Sequence, residues 1–173
     1  MAILELINLR KARKAILYLL LILVTLWLQT MVFSRLTFWG VKPFFLPALI
    51  VAIGLFEGGV WGGMLGLAAG LGCLLSMAGS PVLFLVLLPA FGFVAGMLAD
   101  FLINRRFYSY LLLAAVALLL TAILQAAPLW IFRGAEPRPL FTVAALQALW
   151  SVPFAVPAYY VSKLLAGHER DRS

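Results

Sequence analysis

The chain is short of almost everything that catalysis and folding in water require. Among its 173 residues are one histidine, one cysteine and six carboxylate side chains. His168 stands alone near the end of the sequence, so no second imidazole is at hand to share a metal or relay a proton. Cys73 lies inside an apolar run and has no second cysteine to pair with. Metal-ligand spacing, a nucleophile elbow and a phosphate-binding glycine loop followed by Lys-Ser or Lys-Thr are all missing. No catalytic residue, metal ligand or cofactor is therefore expected. Charged residues make up 11% of the chain, against roughly 25% in an ordinary soluble domain. Too few polar groups remain to cover a water-exposed surface.

What is present instead is apolar, 65% of all residues. A hydrocarbon slab roughly 30 Å thick takes about 20 apolar residues per helix, so the chain has room for six or seven crossings and little else. Six runs can be drawn, over residues 15–33, 44–56, 60–77, 82–103, 108–132 and 140–165, all within one transmembrane domain. The first follows the basic cluster Arg10, Lys11, Arg13 and Lys14 but is longer than a signal-peptide core and lacks a small-x-small cleavage site, so it reads as a retained helix. The second is the shortest. It would cross only if tilted, in a thinned membrane, or with the help of Val41 to Pro43.

Six crossings place both ends on one side. With the ends cytoplasmic, nine basic residues lie inside, namely Arg10, Lys11, Arg13, Lys14, Arg105, Arg106, Lys163, Arg170 and Arg172. Four lie outside, Arg35, Lys42, Arg133 and Arg138. That bias predicts an all-α, multi-pass membrane protein with N-in, C-in topology. The net charge of +7 then reflects orientation and attraction to anionic lipids, and nucleic acid is not an expected partner.

The most specific pattern is Gly58, Gly62, Gly66 and Gly70, each four residues after the last and so on one slowly drifting helix face. Missing side chains let a second backbone approach, which is a main source of helix association in lipid. Gly92 and Gly96 offer a matching groove, and a partner protein is the other candidate for that seam. Glu57 and Asp100 are carboxylates at expected cytoplasmic ends. Glu57 is expected in a turn open to water, just before a helix N-terminus, and Asp100 within reach of Arg105 or Arg106. These four residues are also candidates for contact with a cytoplasmic partner. Gln125 and Gln147 are expected to bond each other or a backbone carbonyl; alternatively, with Trp130 and Trp150, they line a small-ligand pocket.

Several stretches together resemble the rod shape-determining protein MreD family. They are the basic start, Leu28-Gln29-Thr30, Lys42-Pro43-Phe44-Phe45-Leu46-Pro47, Gly54-Leu55-Phe56-Glu57-Gly58, the glycine-rich third run and Gly92-Phe93-Val94-Ala95-Gly96. Members often carry an aspartate late in the third helix, where this chain has Gly72-Cys73-Leu74-Leu75-Ser76. The resemblance implies a six-helix bundle similar to the substrate-binding component of energy-coupling-factor transporters. It further implies a non-catalytic scaffold of the bacterial elongation machinery in the cytoplasmic membrane. The implied partners are a bitopic MreC-like protein, a glycan polymerase with its transpeptidase, and the actin-like MreB. The alternative is a true transporter component for a vitamin or metal. Such components tend to show an Ala-x-x-x-Ala docking face on the first helix, whereas residues 15–33 contain no alanine after Ala15.

Overall fold

The computed structural model describes residues 2–33, 35, 41–76, 82–101, 107–133 and 137–167. Among these, every regular element is an α-helix: α1 (Ala2–Met31), α2 (Leu46–Glu57), α3 (Gly59–Ser76), α4 (Phe84–Phe101), α5 (Phe107–Arg133) and α6 (Pro137–Gly167). Five contain segments long and apolar enough to cross a membrane: Ala12–Met31, Gly59–Ser76, Phe84–Phe101, Phe107–Ala127 and Phe141–Gly167. The exception is α2, whose 12 residues rise only about 18 Å.

The shortest apolar run thereby becomes the centre of the bundle. Residues 46–55 of α2 are all buried, and α2 packs against α3, α4, α5 and α6. Leu46, Leu49, Ile50 and Ile53 form one core cluster with Tyr18, Ile22 and Leu26 of α1 and Leu65, Ala69 and Cys73 of α3. Ala48, Val51, Ala52 and Leu55 form a second with Tyr110, Ala114 and Ala117 of α5 and Ala148, Ala155 and Tyr159 of α6. A helix apolar all round is one enclosed by its neighbours.

Non-helical backbone is tolerated at membrane depth only where protein covers it and satisfies its polar groups. The lead-in to α2 meets both conditions. Val41, Pro43, Phe44 and Phe45 are buried, and the Phe44 N–H donates to Ser151 Oγ at 2.9 Å, while that hydroxyl donates to the Gln147 carbonyl at 2.7 Å. Gln29 Nε2 donates to the Pro43 carbonyl at 3.2 Å. Pro47, in the first turn of α2, needs no partner because it has no N–H. Phe33, Phe45 and Phe154 close this end, with ring centroids 4.7–5.7 Å apart.

Two helices begin before their apolar runs. The first helix is not confined to the apolar run but starts at Ala2, which carries the basic cluster into the helix. The last helix starts at Pro137, before the apolar run that begins at residue 140, so Pro139 lies in its first turn. First-turn N–H groups have no intrahelical acceptor, so proline costs little there.

The outward faces are apolar. Leu20, Leu23, Trp27, Val60, Met64, Leu75, Val86, Leu112, Val116 and Leu149 are all exposed large hydrophobics. Single exposed apolar residues are ordinary, but a sheath around five helices is the signature of a surface solvated by lipid.

Candidate functional site

Two arrangements stand out, a glycine junction at the centre and a charged cluster at one end. The junction begins with Gly58, the single residue linking α2 to α3. Its backbone sits at φ 94°, ψ 167°, a region that only glycine occupies without strain. Its N–H donates to the Gly54 carbonyl at 2.9 Å, and its own carbonyl accepts from Gly62 N–H at 3.0 Å. Gly58 thus closes one helix and opens the next. It also lies in the close contact with α4, since a Cβ on Gly96 would run into the Gly58 carbonyl carbon, so Gly58 has a conformational role as well as a place in the seam.

The remaining glycines permit antiparallel approach of α3 and α4. A Cβ on Gly62 would lie 2.5 Å from the Gly92 carbonyl oxygen and 2.6 Å from Gly54 Cα. On Gly66 it would lie 2.6 Å from the Leu88 oxygen, and on Gly70 2.8 Å from the Phe84 oxygen. A Cβ on Gly96 would run into the backbone of Gly58 and Gly59. Three helices therefore meet at Gly54, Gly62 and Gly92. Gly54 belongs with the seam although the four-residue glycine series starts at Gly58; it stands four residues before Gly58, so extending the series backwards includes it. Within this chain the seam is occupied by α2 and α4, leaving it closed to an outside helix.

At the other site, Lys14 Nζ lies 2.7 Å from Glu57 Oε2, and the Tyr18 hydroxyl donates to Glu57 Oε1 at 2.7 Å. The Glu57 side chain is only 9% exposed. The expected water-filled turn is thus corrected: Glu57 is the last residue of α2, covered by α1. Because α1 extends through the basic cluster, Lys14 and Tyr18 fall one turn apart on the same face and meet the carboxylate together. That spacing was readable, but the partner across the bundle was not.

Asp100 is exposed beside the hairpin, its Oδ2 3.8 Å from where a Cβ of Gly58 would stand. Arg105 and Arg106, its expected partners, lie outside the described residues. Lys163 Nζ stands 5.9 Å from the centroid of Tyr159, whose ring contacts Phe56 and Phe107. The first turns of α1's apolar run, the α2–α3 hairpin, the end of α4, the start of α5 and the end of α6 thus share one end of the bundle.

Gln125 and Gln147 are half-buried, and among the described residues no hydrogen bond joins their amides. Trp130 and Trp150 are exposed. The buried polar side chains with structural work are others: Ser151 and Gln29 at the lead-in, and Tyr110, whose hydroxyl lies 2.8 Å from the Ala155 carbonyl and 3.2 Å from that of Ala48. An open groove of about 430 Å³ runs between α1 and α3, lined by Leu23, Val24, Leu26, Trp27, Thr30 and Ser76. Its walls are apolar apart from two hydroxyls, and it holds no titratable group.

Compared with protein-family models, curated proteins and solved structures, the chain matches none of them.

Proposed function

We propose that this chain is a non-catalytic scaffold of the bacterial cell-elongation complex, as its resemblance to the MreD family implies, embedded in the cytoplasmic membrane as a multi-pass bundle. One observation carries this reading. Three of the segments on which the resemblance rests are used in the packing: residues 43–47 form the buried lead-in and the start of α2, and at the glycine junction Gly54 and Gly58 meet Gly92 and Gly96. The likeness therefore rests on residues that the packing uses. A scaffold built this way offers a partner its lipid-facing helix surfaces and its ends, since its glycine seam is spent internally. The partners are a single-span MreC-like protein, the glycan polymerase and transpeptidase pair, and MreB on the cytoplasmic side.

Orientation follows from charge. Arg13, Lys14 and Lys163 stand at the same end as Glu57 and Asp100, and the positive-inside bias makes that end cytoplasmic. External thiol reagent should fail to label Arg105→Cys or Ser173→Cys in intact cells, and labelling of either overturns N-in, C-in topology.

Function is tested by native mass spectrometry of the purified chain together with depletion in a rod-shaped bacterium. Co-purification of a single-span partner, with rounding of depleted cells, is the expected result. A stoichiometric vitamin-sized adduct without a shape phenotype would replace the scaffold with the transporter component.

A further inference from the structure

Two lysines at the charged end are used differently. Lys14 is committed to Glu57 at 2.7 Å. Lys163 is exposed, and among the described residues its neighbour is an aromatic ring rather than a carboxylate, the Tyr159 centroid 5.9 Å away. Tyr160, on the same face three residues before Lys163, is 54% exposed, and Tyr108 at the start of α5 is 82% exposed. The ring of Phe107 joins the two tyrosines, 6.2 Å from Tyr108 and 6.3 Å from Tyr160. One ammonium and two phenolic hydroxyls thus form a rim of donors.

We propose that the rim of Tyr108, Tyr160 and Lys163 binds the headgroup phosphate of an anionic phospholipid. Lys163 supplies the charge, and the two phenols donate hydrogen bonds. This rests on the reading of the chain as a membrane bundle with this end at the lipid boundary.

Three features favour a lipid. Tyrosine and lysine at a helix end match the headgroup layer, where an amphipathic ring and a cation on a flexible stem both reach water. From Tyr108 the exposed residues Leu112 and Val116 follow at four-residue spacing along α5, giving acyl chains an apolar track directly beneath the rim. The charge selects an anionic lipid, because a choline headgroup would bring its own cation against Lys163 while phosphatidylglycerol brings only the phosphate. On the inside orientation, this rim faces the leaflet whose surface potential is negative.

The test uses the full chain in nanodiscs of equal phosphatidylglycerol and phosphatidylcholine, with retained lipids counted by native mass spectrometry after release. Phosphatidylglycerol should be retained preferentially, and Lys163→Gln should cut that preference about fivefold, the effect of one cation near a charged surface. Tyr160→Phe should cut it less. Arg13→Gln, which removes an exposed cation from α1 at the same end, should leave it unchanged. Equal retention of both lipids overturns the site, as does an Arg13→Gln loss as large as that of Lys163→Gln, since attraction would then be diffuse. Failure of the chain to enter the discs would instead overturn the membrane reading itself.

Discussion

The α2–α3–α4 unit and α1 are held by opposite means. In the first, side chains are removed: glycines bring backbones into van der Waals contact, and the helices meet along the whole stretch from Gly59 to Gly70. In the second, side chains do the holding. α1 touches the bundle through one stripe, Tyr18, Ile22 and Leu26 at four-residue spacing, with Lys14 and Tyr18 on Glu57 at one end and Gln29 on Pro43 at the other. Its remaining faces, with Ile16, Leu20, Leu23 and Trp27, are exposed. Backbone contact offers no rotamer to adjust and so tolerates no addition, whereas a side-chain stripe with polar tethers can lose one tether and persist. The first unit is the rigid centre, and α1 is the separable wall.

Substitutions at the junction should do the greatest damage. Gly62→Leu or Gly92→Leu should prevent folding, because a Cβ already meets backbone there, and backbone cannot rotate away as a side chain can; the check is loss of the monodisperse protein in detergent. Gly63→Ala, on the same helix, should be accepted, since its Cβ would find its nearest neighbour 3.7 Å away. Equal loss at Gly63 would dissolve the distinction between seam and flank.

Next in size is the hairpin residue. Gly58→Ala should cost about 1–3 kcal/mol from backbone strain alone, read as a lowered unfolding midpoint in detergent. Removing the carboxylate in Glu57→Gln should cost a similar amount, about 1.5–3 kcal/mol for charge-assisted hydrogen bonds. Its effect should fall on α1: protease or thiol access to α1 should rise while the α3–α4 contact, reported by a cross-link, stays intact. Loss of both together would mean that α1 and the centre form one cooperative unit.

Tyr110→Phe should cost about 1 kcal/mol, the ordinary net worth of one hydrogen bond, measured the same way. At the low end, Leu67→Ala on the outward face of α3 should change stability within experimental error. Leu67 is 49% exposed and meets lipid in either form.

The contrast also marks what the sequence can reveal. The glycine series was readable because its period equals that of the helix it builds, so the contact face is written in one segment. The tether on Glu57 was not, because it depends on where α1 lies relative to the hairpin, and nothing local to Glu57 specifies that. Ser151 and Gln29 read only as polar residues inside apolar runs; their purpose becomes visible once the irregular stretch before α2 is seen to need partners.

The bond from Phe44 to Ser151 joins residues 107 positions apart, and that separation sets a timetable for making the protein. At ordinary rates of synthesis roughly 5–20 s pass between the two residues leaving the ribosome. During that interval α2 is too short to settle as an independent span, and its leading N–H has no protein acceptor. Its final seat exists only after α6 has been threaded into place beside it. The central helix is therefore among the first to be synthesised and the last to be completed, so a chain halted before Ser151 should remain with its middle unassembled and open to quality-control proteolysis.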